Sequence, residues 1–245
     1  MAIDTVLDPP AATIAVADKA NDRAPEIVYP ESDGKPMADN TRQFRYIVTI
    51  QGGLDALFKD DPNVFVAGDL LWYPVEGNNQ IRVAPDVMVA FGRPKGDRGS
   101  YLQWREENIA PQVVFEVLSP GNTPLEMTRK LHFYERYGVE EYYAYDPDRG
   151  ELAGWRRVGD HFEEITPMEG WVSPRLGVRF HLEGADLVLM RPDGRRFETF
   201  VELTARAEAE RQRAETERQR AEAERQRAER LAERLRALGV DPAEL

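Results

Sequence analysis

The apolar positions along the chain recur with two periods, and the change of period marks where helix gives way to strand. Phe44, Ile47, Ile50 and Leu54 repeat at three- and four-residue spacing, which places them on one face of a helix over residues 39–58. Asp39 stands at its start as the capping candidate. The Gly52-Gly53 pair weakens its middle, since each glycine costs about 1 kcal/mol relative to alanine inside a helix. Residues 64–73 and 81–91 read as strands joined by a hairpin turn at Glu76-Gly77-Asn78-Asn79. Residues 93–105 are polar and contain glycine, which predicts a flexible segment.

Residues 113–118, Val-Val-Phe-Glu-Val-Leu, form a short apolar run suited to a central strand. Thr123-Pro124-Leu125-Glu126 then has the form of a capping box with proline at the first helical position. The helix it opens should run to about Tyr137 and stop at Gly138. A strand over Glu141–Asp146 follows, so strand, helix and strand make a natural right-handed crossover unit. From 152 to 190 short strands alternate with turns, as in a meander that completes the sheet.

Both ends differ from this body. Residues 1–25 are rich in Ala, Asp and Pro without apolar periodicity and read as a disordered leader. Residues 26–200 hold the domain. Residues 201–245 contain three consecutive seven-residue units, 210–216, 217–223 and 224–230, built from the strong helix formers Ala, Glu, Arg and Gln. Ala214, Ala221 and Ala228 share one heptad position, and no second position carries large apolar residues throughout. A stable coiled coil needs both seam positions filled. The pattern therefore favours a solvated helix laced by charge pairs. Weak pairing into a homodimer, helped by Leu231, Leu235 and Leu238, is the alternative.

Composition narrows the chemistry. With 245 residues the chain is long enough for one good-sized domain plus extensions, and no apolar run approaches membrane-spanning length. The N-terminus lacks the order of a signal peptide, so a cytoplasmic protein is expected. No cysteine is present, which excludes disulfides, thiol nucleophiles and Cys-based metal sites. The three histidines, His132, His161 and His181, show neither HExxH nor paired spacing and argue against zinc. Nucleotide-binding glycine motifs are missing. A net charge of −12 argues against indiscriminate binding to a phosphate backbone but leaves room for a local basic groove.

Against that background one constellation stands out. Glu116 interrupts an apolar strand, and a carboxylate there is costly to bury unless paired, protonated or metal-bound. Pro85-Asp86 opens a neighbouring strand, and Glu126 and Lys130 lie on the helix that follows Glu116. Each has a plain structural alternative. Asp86 could mark a turn, and Glu116 could pair with an arginine. Glu126 could serve only as the acid of the capping box, and Lys130 could pair with Glu126 one turn away. Asp69 could be a strand-exposed acid or add a carboxylate at the edge of a site. Taken together, Asp, Glu and Lys match metal-assisted phosphodiester hydrolysis, in which carboxylates hold a hard divalent ion and the ammonium orients water or offsets developing charge.

Asp86, Glu116 and Lys130 resemble the signature of the PD-(D/E)XK nucleases. Pro85-Asp86-Val87, Phe115-Glu116-Val117-Leu118-Ser119-Pro120, Lys130 with Tyr134, Gly138-Val139-Glu140-Glu141-Tyr142-Tyr143 and Asp146-Pro147 are similar, more narrowly, to the Uma-type family of bacterial candidate restriction endonucleases. The resemblance covers about residues 29–190. It implies an α/β, restriction-endonuclease-like core with a mixed central sheet flanked by helices, here followed by a long C-terminal helix. It also implies DNA as substrate and Mg²⁺ as cofactor, with Mn²⁺ as the alternative ion. Asp86, Glu116 and the backbone carbonyl of Val117 would be the metal ligands. In the general motif the lysine stands two residues after the acid, where this chain has Leu118. The resemblance implies that Lys130 supplies the ammonium from the helix instead. Gln43 stands where the family often carries a histidine. Two other readings remain open beside the enzyme: a nuclease fold that only binds nucleic acid or protein, and an assembly protein working through its heptad tail.

Overall fold

The computed structural model describes residues 27–34 and 36–238. The leader expected at 1–25 and the end of the tail at 239–245 lie outside the described residues. Helix α1 (Thr41–Leu57) buries Ile47, Ile50 and Leu54 as their spacing requires, whereas Phe44 is left exposed. Its cap is Asn40, not Asp39. The Asn40 side chain accepts from the Gln43 backbone N–H at 2.9 Å, and Asp39 instead takes a hydrogen bond from the Ser119 hydroxyl. Asn and Asp cap about equally well, so residue type alone does not choose between neighbours. The helix continues through both glycines. A Cβ on Gly53 would lie 2.2 Å from the ring of Phe197, so the residue that weakens the helix intrinsically is the one that lets this ring pack against it.

The chain then forms β1 (Val64–Gly68), β2 (Trp72–Tyr73), β3 (Val87–Phe91), β4 (Tyr101–Leu102) and β5 (Val113–Val117). After β5 come α2 (Pro124–Tyr137), β6 (Glu141–Asp146), β7 (Glu151–Val158), β8 (His161–Glu164), β9 (Arg179–Glu183), β10 (Asp186–Met190) and α3 (Phe200–Ala237). Six strands make a mixed sheet in the order β1-β3-β5-β6-β7-β8. The pair β5 and β6 is parallel and joined by α2; its neighbours are antiparallel. Thr123 caps α2 with Pro124 just inside, and Gly138 closes it in the left-handed conformation at φ 98°.

Three further expectations need correction. The strand expected over 64–73 breaks at Asp69, which takes φ 49° and turns its N–H to the carbonyls of Pro85 and Asp86. The antiparallel pairing with the second strand survives, but β2 then leaves the main sheet to pair with β4. The segment 93–105 is held rather than flexible. Arg93 and Arg98 both bond Glu106, at 2.9 and 2.6 Å, and Tyr101 is fully buried. Of the expected meander, β7 and β8 extend the main sheet while β9 and β10 form a separate two-stranded sheet.

Alternation along the strands gives the sheet two buried faces. Val87, Val89, Val113, Phe115 and Val117 pack toward α1, and Met88, Ala90 and Val114 pack with Tyr134 of α2. Helix α3 buries no residue and would span about 57 Å at 1.5 Å per residue. It is capped by a reciprocal Thr199–Glu202 box and laced by pairs such as Arg220–Glu224 at 3.3 Å. Among the described residues no helix is long and apolar enough to cross a membrane.

Candidate active site

Strand register brings the acids together. Val87 lies opposite Phe115 in the antiparallel β3–β5 pair, so the next step sets Asp86 opposite Glu116. Asp69, in the turn that ends β1, is held beside Asp86 by its N–H, which donates to the Asp86 carbonyl at 3.3 Å. Asp86 and Glu116 therefore face each other on adjacent strands, with Asp69 next to them. Directly opposite side chains on antiparallel strands have Cβ atoms about 5 Å apart, and like charges placed so are destabilising.

Glu116 shares the face of Val114, which turns toward α2. It is 2% exposed. Its Oε2 accepts from the Lys130 ammonium at 2.7 Å, and its Oε1 accepts a hydrogen bond from the Tyr134 hydroxyl. Lys130 and Tyr134 are four residues apart on α2 and so share one helix face. Helix α2 thus brings the Lys130 ammonium to Glu116. Leu118, two residues after the acid, lines a different and largely apolar cavity with Met127, Leu131 and Trp155. The partner of Glu116 is a lysine rather than an arginine, and Lys130 makes its ion pair with Glu116 rather than Glu126.

Val117 ties the second acid in place. Its N–H donates to Asp86 Oδ2 at 2.6 Å, and its carbonyl accepts from Gln43 Nε2 at 2.8 Å. Gln43 Oε1 in turn accepts from the Asp39 backbone N–H at 2.7 Å. Gln43, in the sequence only a substitution for the family's histidine, joins the candidate site through its bond to the Val117 carbonyl. A signal was present: it sits one turn before Ile47 on the buried stripe of α1, where a glutamine must find partners.

Electrostatics follow from this crowding. Burial, and next the charge of Glu116, push the Asp86 carboxyl well above its ordinary range, against Lys130 and the Val117 N–H, which pull it down. For Lys130 burial is the largest single influence and works to lower its pKa, but the charge and hydrogen bond of Glu116 together with Asp86 prevail, and the ammonium is held above its usual value. Burial also raises the Tyr134 hydroxyl, with Glu116 adding to it, so it remains a donor. Asp69 is raised by burial and then by the charge of Asp33, while Lys130 opposes.

Asp86 and Lys130 open onto a cavity of about 590 Å³ lined also by Asp69, Arg82, Asn122 and Glu126. The Glu126 backbone N–H donates to the Thr123 hydroxyl at 3.2 Å, but only this half of the expected capping box forms, and Glu126 lines the cavity. The donor set fits a hard cation. Asp86, Glu116 and the Val117 carbonyl are all oxygens, and each retains lone pairs beyond the hydrogen bonds described. Among the described residues no group of three or more acidic or histidine side chains is arranged to hold a metal. Mg²⁺ is nonetheless commonly bound through only one or two carboxylates, since it keeps waters and substrate oxygens for its other positions.

A model of the Uma2 family, described as "Putative restriction endonuclease", matches residues 32–185. Among solved structures, the chain is similar to a "putative nuclease belonging to DUF820" from Anabaena variabilis. The two are 17% identical, with a TM-score of 0.43 over 57% of this chain and 74% of that one. No curated protein matches it.

Proposed function

The chain belongs to the Uma2 family, and we propose that it is a metal-dependent nuclease hydrolysing DNA phosphodiester bonds at Asp86, Glu116 and Lys130. The observation that carries this reading is Glu116, a buried mid-strand carboxylate set opposite a second acid and held by an ammonium at 2.7 Å. One lysine faces two acids here, and a bound divalent ion would supply further positive charge. Asp86, Glu116 and the Val117 carbonyl would hold Mg²⁺, or Mn²⁺ in its place. When bound, such an ion polarises the phosphoryl group and lowers the pKa of water.

The protein's own groups have distinct tasks. Lys130 Nζ stays protonated, so it acts as a donor and a positive charge toward water or a phosphoryl oxygen, not as a base. Tyr134 and Lys130 fix both oxygens of Glu116. Gln43 and Asp86 fix the two polar atoms of the Val117 peptide. Nicking of supercoiled plasmid tests the reading, with Mg²⁺, with Mn²⁺ and with chelator. Metal-dependent conversion that disappears in Glu116→Gln supports it. Conversion at the wild-type rate in that variant sinks it. DNA retained on the wild-type protein with metal, but without any cleavage, would favour the binding module instead.

A further inference from the structure

Lys130 and Arg82 are the cations that line the site cavity among the described residues. They differ in one respect. Lys130 is committed to Glu116 at 2.7 Å, whereas Arg82 reaches only neutral acceptors at long range, the Asn79 carbonyl at 3.3 Å and the Tyr73 hydroxyl at 3.5 Å. No carboxylate among the described residues forms an ion pair with it. A guanidinium has five N–H donors in a planar fork, and bonds of this length hold it loosely. It is a partly buried arginine facing a cavity whose other walls are rich in carboxylates.

Its backbone is nevertheless fixed. Val83 and Trp72 exchange two hydrogen bonds, at 2.8 and 3.2 Å, next to Arg82. From there the chain runs four residues to Asp86, and Arg82, Ala84 and Asp86 all border the cavity. Four residues span at most about 14 Å. Arg82 is therefore attached beside the metal-binding acids but set back from them along the same segment.

We infer that Arg82 binds a phosphate adjacent to the scissile one, so that the site recognises at least two successive phosphates of a nucleic-acid strand. This rests on the proposed nuclease reading and adds to it a second phosphate contact, so that an oligonucleotide is preferred over a lone phosphodiester. An arginine fork matches two phosphate oxygens, and charge-assisted pairs of this kind are the stronger hydrogen bonds. It also explains how so acidic a protein can grip a polyanion. The grip would be local, at a guanidinium whose hydrogen bonds among the described residues reach only neutral acceptors.

The test compares Arg82→Gln with wild type on two substrates, a DNA oligonucleotide and bis(p-nitrophenyl) phosphate, which carries one phosphate only. Loss of kcat/KM on the oligonucleotide should be about tenfold to a hundredfold, mainly in KM. Hydrolysis of the small diester should be unchanged, and Arg82→Lys should recover part of the loss. Equal losses on both substrates, or none on either, would overturn the inference while leaving the nuclease reading in place. If wild type cleaves neither substrate with Mg²⁺ or Mn²⁺, the nuclease reading falls. Fluorescence anisotropy of a labelled oligonucleotide then decides the inference: weakened binding by Arg82→Gln sustains it and unchanged binding refutes it.

Discussion

Replacing Lys130 by methionine keeps an unbranched apolar side chain as far as Cε and removes the ammonium. At 2.7 Å the ion pair with Glu116 is worth about 6 kcal/mol of Coulomb attraction at an effective dielectric of about 20. Desolvation of both groups offsets part of this, and breaking one side of a buried pair costs about 3–5 kcal/mol in practice. Glu116 is 2% exposed but Lys130 retains 19%, so the lower end, about 3 kcal/mol, applies. For a domain of this size that is a fall in Tm of roughly 6–12 °C. Urea unfolding in chelator gives the free energy directly. The same measurement on Glu116→Gln and on the double variant isolates the pair, whose coupling should exceed about 1 kcal/mol. Mg²⁺ should restore part of the loss, and the variant should bind Mg²⁺ at least as tightly as wild type while turnover falls. A change of only about 0.3–0.5 kcal/mol, the worth of a surface pair one turn apart on a helix, would refute this assignment of the lysine.

Asp86→Asn keeps an acceptor for the Val117 N–H and removes the charge, so the metal-free protein should become more stable near neutral pH as cleavage is lost. The sign follows from its raised pKa: above the ordinary carboxylate range the folded state holds more protons than the unfolded one, so stability falls as pH rises. Unfolding free energy against pH should show that decline in wild type and a weaker one in Asp86→Asn. Gln43→Leu breaks the link from α1 to Val117 and should cost about 1–3 kcal/mol; calorimetric titration should also show weaker Mg²⁺ binding. Truncation after Glu202 should change core stability by less than about 0.5 kcal/mol, because α3 buries nothing. If the tail pairs chains, light scattering will show a dimer becoming a monomer.

The elements that carry the site were legible because their signals were local. Thr123-Pro124 and Gly138 bracket α2, and apolar runs mark β5 and β6. Glu116 announced itself as an acid without a reason to be in a strand. What pairing decides was not legible. Asp69 reads as a residue inside a strand, but its left-handed turn sends β2 out of the sheet. The polar stretch after β3 looked loose because the Arg93–Glu106–Arg98 cluster joins residues that are far from neighbours in sequence. Asp39 and Asn40 compete for one cap, and the loser is drawn to Ser119, eighty residues away along the chain. Gln43 was undervalued for the same reason: its partner, Val117, lies 74 residues on.

In the proposed nuclease, Asp86 and Glu116 share one divalent ion with the Val117 carbonyl. Anomalous diffraction from crystals soaked in Mn²⁺ tests it most directly. A single strong peak is expected within coordination distance of all three oxygens, lost in Asp86→Asn. Manganese bound only to the outer acids of the cavity, with none between Asp86 and Glu116, would contradict it.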